Sequence, residues 1–198
     1  MKILKSERVF QSRWVSVWEV LYSKIANKKN SWFVVSRKDK PMFKTGIKKA
    51  DAVVMVPFHK DKEAWVLVKE YRVPVNDYEY HFPAGLVDEG ETPQAAAIRE
   101  MKEETGLDVI RTLKPSPVIF SGAGLTDESV RMMPVVCTGE FNLAGQEDSE
   151  SIQPFYLKPE DIPKFLQDEN KIFGAKCFLV LNGIMRSAFG GPLFGKET

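Results

Sequence analysis

Apolar positions along the chain fall into short runs separated by polar turns, which predicts many strands and few helices. Ala52 to Phe58 is continuous enough to be a buried strand, and Ala64 to Glu70 predicts the next after a turn at Lys60 to Lys62. Earlier, Val15, Val17, Glu19, Leu21 and Tyr22 sit in a β-rich run after Trp14. Ala26 to Asn30 reads as a turn and Trp32 to Val35 opens a second strand, so residues 7–37 predict an antiparallel hairpin. A hairpin alone is marginal in water and needs a partner surface. Lys38 to Lys49 is a basic connector, Tyr71 to Tyr80 reads as a loop, and residues 81–84 as a short strand. Further strands are expected at Pro117 to Phe120, Val130 to Val136 and Phe155 to Leu157. Amphipathic helices are expected at Pro159 to Leu166 and at Ile172 to Met185, the second with Phe173, Ala175, Phe178 and Leu181 inward.

The clearest helical pattern lies in Gly85 to Leu107, GLVDEGETPQAAAIREMKEETGL. Thr92 can cap a helix, Pro93 suits its first turn, and Gly106 stands where a C-terminal glycine belongs. At 3.6 residues per turn, Ala95, Ile98, Met101 and Thr105 share the side expected to pack, with Glu100, Glu103 and Glu104 opposite. Glu100 and Glu104 repel at i,i+4, and all three acids lie toward the end where the helix dipole disfavours negative charge. Arg99 and Glu103 are i,i+4 in the weaker orientation. Helix stability would not select this arrangement, whereas a bound cation would offset it; a solvated acidic face is the common alternative.

Strands mixed with helices, a central acidic helix and terminal helices give a mixed-sheet α/β/α sandwich. At 198 residues the chain fits one domain with a proper core. The composition is that of a globular protein, 43% hydrophobic and 28% charged. A net charge of +1 gives no electrostatic case for nucleic acid or a membrane surface. No stretch approaches the ~18 apolar residues of a membrane span. MKILKSERVF lacks the apolar run of a signal peptide, so a cytoplasmic setting is expected. Cys137 and Cys177 have no metal spacing and read as reduced core thiols, and His59 and His81 are too far apart for a histidine zinc site.

Gly85, Glu91, Arg99, Glu100, Met101, Glu103, Glu104, Gly106 and Leu107 fit G-x5-E-x7-R-E-U-x-E-E-x-G-U, with U apolar, at every position. At average residue usage, its seven fixed identities coincide about once in 10^8 windows. This is the Nudix box, and the chain resembles the Nudix hydrolases. Tyr71, Arg72 and Pro74, HFPAG at 81–85, SGAGLTDESV at 121–130, Trp14 and Trp32 followed by Arg37 resemble the ADP-ribose pyrophosphatase subgroup, over about residues 12–185. The resemblance implies a Nudix-type α/β fold, with an N-terminal β subdomain over 1–45 and the hydrolase domain over 46–198. It implies metal-dependent cleavage of the pyrophosphate of ADP-ribose or a related nucleoside diphosphate sugar. GDP-mannose or a dinucleotide is the alternative substrate, and a non-catalytic nucleotide-sugar-binding module the alternative of another class. The intact glutamate set argues against the last.

Glu100 and Glu104 are expected to hold Mg2+ through carboxylate oxygens. The resemblance adds the Ala84 carbonyl, a supporting Glu103, and Arg99 as the group that orients these carboxylates with Glu91. It places the general base on the late loop GQEDSESIQ, at Glu150, with Glu147 as the alternative. A guanidinium is the natural partner of a diphosphate, which points to Arg72 and Arg37. Trp14 and Trp32 are candidates for the adenine platform or for hairpin core. His81 stands where the subgroup often has a glutamate; imidazole suits Mn2+ or Zn2+ better than Mg2+, so His81 is a metal ligand, a substrate contact or a strand residue. The aromatic hairpin carries more apolar surface than water tolerates, and the resemblance implies a homodimer that exchanges it.

Overall fold

The computed structural model describes residues 1–25, 28–46, 49–146 and 151–189. In chain order the elements are β1 (Lys2–Gln11), β2 (Ser16–Ile25), β3 (Lys28–Ser36), α1 (Met42–Thr45), β4 (Ala52–His59), β5 (Ala64–Arg72), β6 (Asp77–His81), β7 (Ala84–Leu86), α2 (Pro93–Thr105), β8 (Asp108–Thr112), β9 (Ile119–Phe120), β10 (Ser129–Thr138), β11 (Ile152–Leu157), α3 (Ile162–Leu166), β12 (Ile172–Phe173) and α4 (Ala175–Phe189). They divide into two compact units, Met1–Ala52 with Ser116–Arg131, and Val53–Pro115 with Met132–Thr198.

The first unit is built on the antiparallel sheet β1-β2-β3. The expected hairpin is present as β2 and β3, and β1 adds a third strand. Almost every residue of β1 is exposed, so no apolar alternation marked it. Trp18 pairs with Val34, Val20 with Trp32 and Ser16 with Ser36, which puts these six on one face. Trp18 and Val20 are buried there. The Arg8 guanidinium lies 4.7 Å and the Lys44 ammonium 4.0 Å from the Trp18 ring centre, and Phe43 meets it edge-on. The segment expected as a plain connector contains α1, whose Met42 N–H donates to Asp127 at 2.7 Å. Asp127 also accepts from Ser36 Oγ. Within this unit β9 pairs with the start of β10, Phe120 opposite Ser129.

The second unit carries the main sheet, in the order β12-β6-β5-β4-β10-β8, with β11 beside β5 and β7 beside β4. The sheet is mixed: β6 and β12 are parallel, while β5 pairs antiparallel with both β6 and β11. Residues 71–80, expected as a loop, contain the end of β5 and most of β6. Pro74 and Asn76 mark only a tight turn, with Asn76 N–H closing on the Val73 carbonyl and Asn76 at a φ of 52°. At the C-terminal end, Pro159–Asp161 is a 3-10 turn that precedes the short α3. Ile172–Phe173 is a strand, so α4 begins at Ala175, which is exposed; Cys177, Leu181 and Asn182 are buried.

Helix α2 has the expected cap, with Thr92 Oγ1 accepting from Ala95 N–H, and the expected left-handed Gly106. Its packed face differs from the expected one. Ala95 and Ile98 are exposed, and Ala96, Ala97, Met101 and Thr105 are buried. Two alanines let the helix approach the sheet closely, where they join Val53, Met55, Val66, Met133 and Val135 in one core. Glu104 lies on that buried side, 4% exposed, so the three glutamates run from core to solvent and do not share a polar face.

Gly106 has two reasons to be glycine. Its φ is 77°, and an added Cβ would lie 2.5 Å from the Asn142 backbone nitrogen. Gly90, at a φ of 81°, has open space around it. Both Gly→Ala changes meet the left-handed penalty of about 1 kcal/mol, and only Gly106→Ala adds a backbone clash. Thermal unfolding should show Gly106→Ala lowering Tm by at least twice as much as Gly90→Ala.

Candidate functional site

A guanidinium organises the acidic end of α2. Arg99 Nε and Nη2 donate to the two oxygens of Glu91 at 3.2 and 3.0 Å, a bidentate fork. Nη1 donates to Glu100 Oε1 at 2.8 Å and to Glu103 Oε2 at 3.0 Å. Nη2 also reaches the Leu86 carbonyl at 3.0 Å. Hydrogen bonding to Glu91, then to Glu100 and Glu103, holds the guanidinium above its already high ordinary pKa, against the opposing effect of burial. One fixed cation therefore gathers three carboxylates that would otherwise repel.

The strand before the helix supplies backbone. Met55 N–H donates to the Pro83 carbonyl at 2.8 Å, which fixes the approach to β7 against β4. Ala84 N–H donates to Glu104 Oε2 at 3.2 Å. Glu100 lies over Gly85 so closely that a Cβ there would fall 1.8 Å from its carboxyl carbon. Ala84, Gly85, Glu91, Arg99, Glu100, Glu103 and Glu104 thus lie together. Among the described residues no three His, Cys, Asp or Glu side chains form a ready-made metal cage.

Arg72 and His81 form a second cluster in the same unit. Arg72 Nη1 donates to Glu70 Oε1 at 2.7 Å and its Nε to Glu79 Oε2 at 3.4 Å. His81 Nε2 lies 2.8 Å from Glu70 Oε2, and Nδ1 lies 2.8 Å from the Phe82 carbonyl. Glu70 and Glu79 escaped the sequence reading because one fell in an apolar strand and the other in a segment read as loop. Their alternation with Arg72 and His81 across a tight hairpin was the available signal.

Trp14, Trp32 and Arg37 belong to the first unit. Trp14 is 67% and Trp32 50% exposed, so neither is hairpin core. The Arg13 guanidinium lies 4.5 Å from the Trp14 ring centre, and Trp32 Nε1 donates to the Gly124 carbonyl at 2.9 Å. Arg37 pairs with Glu128 at 3.2 Å. Glu147 and Glu150 lie outside the described residues. Just before them, Gln146 donates one side-chain amide to the carbonyls of both Glu104 and Ile152, at 3.2 and 2.9 Å. Sequence reading passed over Gln146 among its charged neighbours. Cys137 and Cys177 are buried free thiols, pushed up to about 12 by burial.

A family model described as the NUDIX domain matches residues 48–177. The chain belongs to this family. Its Nudix box is therefore the segment from Gly85 to Leu107, with Arg99 at its centre. Over 141 residues the chain is 31% identical to the ADP-sugar pyrophosphatase of Mus musculus, covering 70% of this chain and 62% of that protein. That match and one to a Caenorhabditis elegans relative span about three-fifths of those proteins' lengths. Over 197 residues it is 25% identical to the ADP-ribose pyrophosphatase of Saccharomyces cerevisiae, covering 93% of this chain and 84% of that one. A crystal structure of an ADP compounds hydrolase shares the fold, with a TM-score of 0.70 at 24% identity over 96% of this chain and 94% of that one.

The close approach of the Nudix-box Glu100 to Gly85 gives a sharp test. In Gly85→Ala the obstructed atoms are the end of a flexible side chain, so the carboxylate can swing away and the fold survives. Gly85→Ala should shift Tm by only a few degrees while lowering activity at least tenfold. An equal loss in both would mean that the glycine serves the fold alone.

Proposed function

We propose that the chain hydrolyses the pyrophosphate bond of ADP-ribose or a related nucleoside diphosphate sugar, giving a nucleoside monophosphate and a sugar phosphate. The observation that carries this is the pair Glu100 and Glu104, held beside the Ala84–Gly85 backbone by Arg99 and by the Ala84 N–H. The names of the mouse and yeast relatives support the substrate class.

The residues fit a divalent cation of the hard type. Their donors are carboxylate and carbonyl oxygens, and Mg2+ commonly takes one or two carboxylates with waters and substrate phosphates instead of a closed protein cage. Glu100, Glu104 and the Ala84 carbonyl would hold it, with Glu103 in support. A cation there supplies neutralisation of phosphate charge and a more acidic water. Arg99 keeps the carboxylates from repelling one another before substrate arrives. Arg72 pairs with the diphosphate, and Arg37 is its proposed companion. A water oxygen attacks phosphorus, the P–O bond to the bridging oxygen breaks, and Glu150, or Glu147 in its place, takes the water proton. The exposed Trp14 and Trp32 rings serve as the base platform.

The deciding experiment is phosphate release, with alkaline phosphatase, across a panel of ADP-ribose, GDP-mannose and dinucleotides with Mg2+ or Mn2+. Wild type should turn over ADP-ribose, and Glu104→Gln should keep the fold and lose several orders of magnitude in kcat. Glu150→Gln should lower kcat with little change in substrate Kd. A wild type that binds ADP-ribose and cleaves nothing would establish the binding module.

The base platform and the exposed Phe10 and Phe33 of the first unit further support a homodimer that exchanges N-terminal sheets. Light scattering should give twice the 22.5 kDa chain mass at micromolar concentration. Trp32→Ala should raise KM far more than it lowers kcat. A fully active monomer would rule out the exchanged dimer as the active form.

A further inference from the structure

We propose that His81 is a positioning residue that acts through Glu70 to hold Arg72 ready for a phosphate; this rests on the phosphate-binding role given to Arg72 above. The register of β5 and β6 places Glu70 opposite Glu79, Val68 opposite His81 and Arg72 opposite Asp77. Side chains alternate by two along a strand, so Glu70, Arg72, Glu79 and His81 stand on one face of the sheet.

Each oxygen of Glu70 has its own donor. Arg72 Nη1 holds Oε1 at 2.7 Å, and His81 Nε2 holds Oε2 at 2.8 Å. The carboxylate therefore cannot rotate without losing one of two charge-assisted bonds. The ring that fixes it is itself fixed, 8% exposed, with Nδ1 on the Phe82 carbonyl. Gly174 leaves the room: a Cβ there would lie 3.1 Å from Glu79 Oε1 and 3.3 Å from His81 Cβ.

The hydrogens follow from the partners. The Glu70 carboxylate only accepts, so Nε2 donates to it at 2.8 Å, and Arg72 Nη2, itself a donor, is a packing contact to that nitrogen at 3.4 Å. An Nε2 that donates to Glu70 has no lone pair for a metal ion, and Nδ1 is turned to the Phe82 carbonyl. That sets positioning apart from ligation at this position. The bonds to Glu70 and Glu79 use two of the five N–H donors of Arg72, which leaves three for phosphate oxygens. A guanidinium already fixed by its carboxylates loses less side-chain freedom when the ligand arrives.

The test is a double-mutant cycle on the full chain with His81→Ala, Arg72→Ala and the pair, read as kcat and KM for ADP-ribose with Mg2+ and with Mn2+. His81→Ala should raise KM about tenfold, the scale of losing one charge-assisted bond. Its kcat should fall less than threefold, and the Mn2+ to Mg2+ activity ratio should not move. In the Arg72→Ala background the same change should have no further effect, because the two residues act as one unit. His81→Gln, which keeps a donor for Glu70, should recover most of the loss. Independent multiplicative effects, a shifted metal ratio, or an unchanged KM would each overturn the proposal. If His81→Ala does not fold, Glu70→Gln carries the test, with the same rise in KM expected and an unchanged KM decisive against it. A wild type that cleaves no substrate ends the functional reading alone. The coupling is then read from the Kd of the same proteins for inorganic pyrophosphate in metal-free buffer. There, a wild type that does not bind pyrophosphate, or independent losses, would overturn the proposal.

Discussion

The arrangement of the acidic site depends on one ionic interaction, the grip of Arg99 on Glu91, Glu100 and Glu103. Without it the C-terminal half of α2 would hold closely spaced like charges at the end of the helix where the dipole opposes them. A surface ion pair contributes little, but a network around a bidentate guanidinium is different in kind. Its partners come from the helix itself and from the segment before it, so the same bonds that relieve repulsion also fold Leu86 and Glu91 back onto α2. The electrostatic solution and the local chain path are one feature.

Close backbone approach is the second constraint. Ala96 and Ala97 bring α2 against the sheet, Gly85 admits the Glu100 carboxylate, and Gly106 admits the backbone of Asn142. At the two glycines the missing side chain gives its volume to a carboxylate or to main chain. The cost is a helix with little apolar bulk on its inner side, and Met101 and Leu107 supply most of what there is.

Legibility in the sequence followed the strength of local signals. Thr92, Pro93 and Gly106 fixed the ends of α2 because caps are local chemistry. Its packed face departs from the 95, 98, 101, 105 stripe because Ala96 and Ala97, too small to mark a hydrophobic pattern, are the buried positions, while Ile98 is exposed. β4, β5 and β10 were readable as apolar runs. β1 was not, because a strand exposed on both faces has no alternation to show. β6 was hidden by Pro74 and Asn76, which mark the turn and not the flanking strand. The box residues were legible because their spacing is set by one helix. Glu70, Glu79 and Gln146 were not, because their roles arise from pairing between strands and from carbonyls that no side-chain pattern encodes.

Gln146 also bears on how this architecture can vary. Its amide ties the C-terminal turn of α2 to the start of β11. The amide acts as a seam: a change at position 146 reaches the main chain of Glu104 without replacing any charged group of the box.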